Sequence, residues 1–422
     1  GQPGEAALGD GGTLSFIVHW FQARVGFKPE DALLGLLGTA FMLVYMIGAP
    51  VFARLAERTS RWTIVGFGVI LWSLASGASG LAHTFLLLLL TRCFVGIGEA
   101  AYGPVAPAMI SDLFPINIRG RVLAWFYVAI PVGSALGYVL GGWIANSELG
   151  SLFGEIIGVH LESWRWAFIL VMLPGIILGL WSFFMRDPQR GAADPGSNVK
   201  AASLPWRNYW ILARTPSYIL CTLGMTAMTF AIGGIAFWMP YYLETRPGAP
   251  DNSTIVFGAV TATAGLTATI LGGIAGDKLR PRFPSSYFLV SGTAMIAGFP
   301  LFLAVLHAPF PWAIWLLIFL ACFCLFFNTG PTNTVLANVT HPSMRSIAFA
   351  INIFIIHAFG DVISPVVVGF LNDLYGDMNK SFLVVGLMFL ASGVFWLIGT
   401  RYLEADTKHG SGPLPIGGRQ RQ

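Results

Sequence analysis

Apolar residues run along the chain in stretches of about twenty, punctuated by short clusters of arginine, proline, glycine and serine. An α-helix advances about 1.5 Å per residue, so roughly 20 apolar residues cross a hydrocarbon core of about 30 Å. The stretches at 33–53, 62–82, 84–113, 121–145, 165–185, 216–243, 254–276, 286–306, 312–337, 346–371 and 380–402 predict eleven membrane-spanning helices. Upstream, the apolar run at 14–21 is too brief to cross and follows a polar, Gly-rich tail over residues 1–12. No Lys or Arg precedes the run to make it a signal peptide, and it reads as the second half of a first helix that is incomplete in this sequence. A whole first helix would bring the total to twelve.

Composition narrows the class. Of 422 residues, 55% are hydrophobic and 10% charged, against about a quarter charged in an average soluble domain, which excludes a soluble globular protein. Most of the 50 Gly and 25 Pro lie inside apolar runs, where they suit close helix packing and helix breaks. The net charge of +4 is scattered, with no basic stripe for nucleic acid. Cys93, Cys221, Cys322 and Cys324 all fall in apolar segments and read as small buried residues; Cys322 and Cys324 have the wrong spacing for a redox or zinc pair. The chain contains no GxxxxGK(S/T), HExxH or GxSxG, and Gly96 and Gly98 sit in an apolar span rather than after a strand. No cofactor, no metal and no ATP-driven or hydrolase chemistry is expected.

Charge fixes an orientation. Alternate loops carry 18 basic residues: Arg54, Arg58, Arg61; Arg119, Arg121; Arg186, Arg190, Lys200, Arg207, Arg214; Lys278, Arg280, Arg282; Arg345; and Arg401, Lys408, Arg419, Arg421. The opposite loops carry five, Arg24, Lys28, Arg165, Arg246 and Lys380, and Arg92 lies inside a span. The positive-inside rule places the first set, and with it both termini, in the cytoplasm.

An internal repeat divides the spans into halves. Residues 53–61 end a helix with a carboxylate and a basic turn, and 273–282 repeat that pattern. Later in each half, Gly103-Pro104 followed by Asp112, Pro115 and Arg119 is echoed by Gly330-Pro331 followed by Asn338, Pro342 and Arg345. We expect a tail over 1–12, an N-terminal helical bundle over 13–185, a cytoplasmic linker over 186–215, a C-terminal bundle over 216–403 and a second tail over 404–422.

These residues carry a resemblance. Ala53, Glu57, Arg58 and Arg61 match the turn Gly-x-x-x-Asp-Arg-x-x-Arg after the second helix of the major facilitator superfamily, with Gly softened to Ala and Asp to Glu. The run from Arg92 through Glu99 to Pro107, and that from His357 through Asp361 to Pro365, resemble the Spinster branch. The Asp-Arg pair of the Spinster first helix is absent, and the Gly-rich tail stands in its place before Thr13. The resemblance implies an all-α membrane protein with the major facilitator fold: two pseudo-symmetric six-helix bundles that rock about a central cavity.

An ionised side chain at mid-bilayer costs about 2.5–3.5 kcal/mol on insertion scales, so those present need a reason. Arg92 and Glu99 are separated by seven residues, or about 10 Å of helical rise on nearly one face. A carboxylate that moves between buried and charge-paired surroundings takes up and releases a proton, so Glu99 is a candidate proton carrier, and Arg92 and Glu99 together are a candidate substrate-binding site in which Arg92 takes an anionic group. A fixed ion pair between helices is the alternative. His357 and Asp361, one helical turn apart, are candidates for proton coupling or gating, or for a polar pair that fixes helix packing. Asn328 and Asn333 flank Gly330-Pro331, where a broken helix would expose carbonyls to a substrate; packing by small polar residues explains them equally. The resemblance implies that Arg54, Glu57, Arg58 and Arg61 form a gate at the cytoplasmic helix ends, with Asp112 and Arg119 as local partners.

The expected function is secondary transport by alternating access, coupled to protons, of an amphipathic lipid-like anion such as a lysophospholipid or sphingoid phosphate. Multidrug efflux or transport of a small organic anion is the alternative within that class, and a membrane-embedded enzyme using His357, Asp361 and Glu99 is the remote one. The protein is expected as a monomer in a bacterial inner membrane, with the bilayer, the substrate and protons as its partners.

Overall fold

The computed structural model describes residues 29–146, 161–194, 206–246, 253–308 and 312–410, and among them every regular element is helical. The α-helices are α1 (Pro29–Ala56), α2 (Arg61–Gly80), α3 (Phe85–Tyr102), α4 (Val105–Leu113), α5 (Arg119–Tyr127), α6 (Ala129–Asn146), α7 (Ser163–Ser182), α8 (Pro216–Glu244), α9 (Ser253–Leu279), α10 (Ser286–His307), α11 (Trp312–Phe326), α12 (Thr329–Val339), α13 (Arg345–Ile356), α14 (Ser364–Tyr375), α15 (Met378–Gly399) and α16 (Leu403–Gly410). Several adjoin end to end, so that eleven helical segments are long and apolar enough to cross a membrane. They coincide with the eleven predicted stretches to within four residues at each end, except that the span beginning at Arg119 ends at Gly137 and not near residue 145; the run at 14–21 and the tail before it lie outside the described residues.

Local chemistry sets the helix ends. The Thr84 hydroxyl accepts from Leu87 N at 3.2 Å to start α3, and the Asp377 carboxylate accepts from Asn379 N at 2.9 Å to start α15. Gly376 closes α14 at φ +60°, a left-handed position that a side chain disfavours. Proline sets the internal breaks. Pro331 has no N–H for the Phe327 carbonyl, which instead points at Gly272 of α9, where a Cβ would collide with it. Pro365 likewise leaves the Asp361 carbonyl without an amide, and residues His357–Asp361 relax into one π-helical turn joining α13 to α14.

The described residues form two compact units. The first comprises parts of 1–52, 59–103 and 137–186. Here α2 packs between α3 and α7. Gly68 and Gly98 let two backbones touch: a Cβ on either would lie 2.6 Å from the carbonyl oxygen of the other. The second unit comprises 53–58, 104–136 and 187 onward. In it α15 packs against α8 and α10, while α5 packs against α9 and α12. Its core is aromatic: Phe302 stacks on Phe389 at 5.4 Å and meets the edge of Phe382 at 6.0 Å, and Trp396 is fully buried. Large apolar side chains such as Phe67, Ile177 and Val366 remain exposed on the spans, as a hydrocarbon solvent requires.

Candidate functional site

The two echoed motifs fold alike. Helix α4 ends just after Asp112, Pro115 follows, and α5 begins on Arg119; helix α12 ends just after Asn338, Pro342 follows, and α13 begins on Arg345. All four polar side chains are buried in the second unit. Each arginine reaches the other motif. Arg345 Nη1 donates to Asp112 Oδ1 at 2.6 Å, and Arg119 Nη1 donates to Asn338 Oδ1 at 2.7 Å. Each arginine also donates through Nε to a carbonyl that ends a helix, Arg119 to Phe114 and Arg345 to Ala337.

Asp194, in the segment expected to be a linker, completes the cluster. It accepts from Arg119 Nη2 at 2.8 Å and from Arg345 Nη2 at 2.5 Å, while Ala193 N donates to the Asp112 carbonyl at 2.9 Å. Two guanidinium groups thus face two carboxylates, so the buried cluster is formally neutral, the condition under which burying charge is tolerable. Burial pushes the Asp194 carboxyl up, but Arg345 and Arg119 outweigh it and hold the group below its ordinary value. Nearby, burial and then the Arg345 charge lower His341.

A second carboxylate works on a helix end. Asp277 closes α9 and accepts from the backbone amides of Gly120 at 3.1 Å and Arg121 at 2.8 Å, in the first turn of α5, where the helix dipole favours negative charge. Tyr287 donates to the same carboxylate at 2.8 Å.

The turn after α1 is also tied to the linker. Arg54 Nη1 donates to Glu57 Oε2 at 2.7 Å, and the Tyr209 hydroxyl, which accepts from Arg54, donates to the Glu57 carboxylate at 2.6 Å. Arg190 Nη2 caps the Ala56 carbonyl at 2.6 Å. Burial raises the Glu57 carboxyl above its ordinary value, against the lowering by Tyr209 and Arg54, and burial together with Glu57 raises the Tyr209 hydroxyl. Of the remaining basic residues in this turn, Arg61 is buried and Arg58 exposed.

The groups inside the spans are dispersed. Arg92 does not turn to Glu99: it donates to the Ser79 hydroxyl at 2.6 Å and lies 5.5 Å from the Phe168 ring centroid, leaving its Nε without a hydrogen-bond partner among the described residues. Ser79 is at the end of α2, so the guanidinium is drawn away from the α3 end that carries the half-buried Glu99. His357 Nδ1 lies 2.9 Å from Asp361 Oδ2, the pair set across the π turn. Asn328 is wholly buried and donates to the Leu325 carbonyl at 2.7 Å, whereas Asn333 accepts from the Tyr127 hydroxyl at 2.8 Å. Both asparagines are buried among the described residues.

From sequence, Asp112 and Arg119 are expected as gate residues, and Asn338 and Arg345 stand out only as a repeat. That repeat is the available signal, because the two motifs that echo each other in sequence are the two that bond to each other. Asp194, Arg190 and Tyr209 gave none, since they stand in a polar segment with no pattern.

The chain is similar to known proteins. Residues 6–360 match the Major Facilitator Superfamily. "Protein spinster homolog 1" of Homo sapiens is 35% identical over 367 residues, covering 82% of this chain and 67% of that protein. "Sphingosine-1-phosphate transporter SPNS2" of Danio rerio is 31% identical over 414 residues, covering 88% and 78%. Among solved structures, a bacterial homologue of the human lysosomal transporter Spinster, inward-facing and unoccupied, aligns with TM-score 0.58 and 22% identity over 90% of this chain and 89% of that one. The E. coli fucose:proton symporter FucP aligns with TM-score 0.67 and 15% identity over 91% and 94%. At these identities the structural likeness speaks for the fold alone.

Proposed function

The chain belongs to the major facilitator superfamily and, within it, to the Spinster family, and from that premise we propose that this multi-pass membrane transporter moves an amphipathic, lipid-like anion by alternating access coupled to protons. The observation that carries the reading is the neutral buried cluster of Asp112, Arg119, Asp194, Arg345 and Asn338. Opening such a cluster exchanges its ion pairs and hydrogen bonds for hydration of the same four charges, so the closed and open forms differ little in free energy, as a two-state element for alternating access must. On the count of basic loops we place it on the cytoplasmic side.

Within this reading Arg54, Glu57, Arg58, Arg61, Asp112 and Arg119 gate the cytoplasmic ends. Glu99 carries the proton, with His357 and Asp361 coupling that event to the rearrangement at the π turn. Arg92 supplies the anion site, and Asn328 and Asn333 reach the substrate when the α11–α12 break opens. The lipid-like cargo rests on kinship to a protein named as a sphingosine-1-phosphate transporter. The test is uptake of a labelled lysophospholipid and of sphingosine 1-phosphate into proteoliposomes with and without an imposed pH gradient. Wild-type transport that the gradient accelerates, with the acceleration lost in Glu99→Gln, supports the reading; equal acceleration in the variant rejects the proton role, and no movement of either lipid rejects the cargo.

A further inference from the structure

A cavity of about 800 Å³ opens beside the 3-10 helix Trp206–Arg214, at the point where α8 enters its membrane span. Its volume is within the roughly 300–1,000 Å³ of ordinary ligand sites. Tyr209 and Thr222, with Ile351 and Ile355 of α13, are among its lining residues, and Trp210 and Arg214 of the lining are exposed. The Thr222 hydroxyl oxygen already accepts from Asn352 at 3.0 Å, and the Tyr218 hydroxyl donates to the Ala348 carbonyl at 2.7 Å. The Arg214 side chain makes no hydrogen bond or ion pair among the described residues.

We infer that this cavity holds one acyl chain of an anionic glycerophospholipid from the leaflet on the basic side, with the lipid phosphate on Arg214. Three features choose that occupant. The walls are apolar at the depth where the span begins, so hydrocarbon rather than water fills them at least cost. The exposed part of the lining pairs an indole with a guanidinium, the combination suited to the headgroup level, and a guanidinium binds phosphate through paired donors. The face belongs to the side with the excess of Lys and Arg, where anionic headgroups concentrate.

The site has a consequence for the gate. Tyr209 lines the cavity and its hydroxyl donates to Glu57, so an occupant that packs against Tyr209 holds the linker helix against the turn after α1. The lipid is a resident support for this conformation, distinct from the transported cargo.

The test is thermal unfolding of the delipidated full chain in detergent, titrated with phosphatidylglycerol or phosphatidylcholine of identical acyl chains. Phosphatidylglycerol is expected to raise the Tm further than phosphatidylcholine. Arg214→Gln is expected to lose at least half of that difference, and Ile351→Trp, whose indole fills the cavity, most of the rise with either lipid. Ile355→Trp serves if Ile351→Trp does not fold, and retention of phosphatidylglycerol in native mass spectrometry of wild type and Arg214→Gln gives the same decision without a filled cavity. A stabilisation by lysophospholipid that survives in the filled variants separates this site from the cargo site. Equal effects of the two lipids on the wild type, or lipid effects that the variants leave unchanged, overturn the inference.

Discussion

Arg345 donates to Asp112 at 2.6 Å across 233 residues of sequence, and its pseudo-symmetric counterpart Arg119 donates to Asn338, not to a second carboxylate. The repeat is therefore broken in charge at one position, and Asp194 from the linker supplies the missing negative group to both arginines. A linker residue thereby becomes part of the structure that joins the two echoed motifs.

Charge balance, more than any single bond, is what this arrangement predicts. Asp194→Asn leaves an uncompensated buried guanidinium and is expected to cost about 3–5 kcal/mol of the closed state. Adding Asn338→Asp to that variant returns a carboxylate within reach of Arg119 and is expected to recover at least half of the loss. Thermal unfolding of the two single variants and the double variant decides it; a double variant no more stable than Asp194→Asn alone would show that local geometry, not neutrality, holds the cluster.

Glu57 gives a pH dependence of definite sign. Its carboxyl is raised above 4.5 by burial, so the folded state binds its proton more readily than the unfolded chain does. Stability from this group falls as pH rises from about that value through the folded pKa and is flat above it. Asp194, held below 3.8, acts oppositely: its contribution is complete above 3.8 and is lost as pH falls through its folded value. Glu57→Gln imitates the protonated form. The Tm of Glu57→Gln minus that of the wild type is expected to grow with pH above 4.5, and a difference independent of pH between 4.5 and 8 would remove Glu57 as the cause.

Much of the fold is legible because the bilayer enforces it: hydrocarbon permits only long apolar helices here, so length and hydropathy placed all eleven described spans. The basic turns and the echoed Pro-Arg motifs were likewise legible, since local sequence dictates helix ends. What escaped was contact between distant segments. Nothing in the sequence says that Asp194 lies between Arg119 and Arg345, or that Tyr209 reaches Glu57. Periodicity did suggest that Arg92 and Glu99 share a face, but a long guanidinium stem chooses among all partners within its reach, and it chose Ser79 on a neighbouring helix.

The π turn at His357–Asp361 depends on a close neighbour. A Cβ added to Gly233 of α8 would lie 2.6 Å from the Asp361 Cα, closer than real contacts allow. Gly233→Ala is expected to push the turn away, costing about 1–3 kcal/mol by overpacking and disturbing the His357–Asp361 contact. Thermal unfolding reads the first effect and transport under a pH gradient the second. A stable Gly233→Ala protein with unaltered coupling would place the π turn outside the working parts.

The partner choice of Arg92 separates two accounts of the charged groups in the first unit. If Arg92 and Glu99 formed one electrostatic site, removing either would alter the effect of removing the other. The observed bond to Ser79 and the roughly 10 Å of helical rise between the two residues argue for independence. A double-mutant cycle of Arg92→Gln with Ser79→Ala is expected to show a coupling of about 1.5–3 kcal/mol, the scale of a hydrogen bond to a charged group. The cycle of Arg92→Gln with Glu99→Gln is expected to be additive to within about 0.5 kcal/mol in this conformation. Coupling in the second cycle and none in the first would return Arg92 to Glu99 and make the pair, rather than Glu99 alone, the unit that responds to protons.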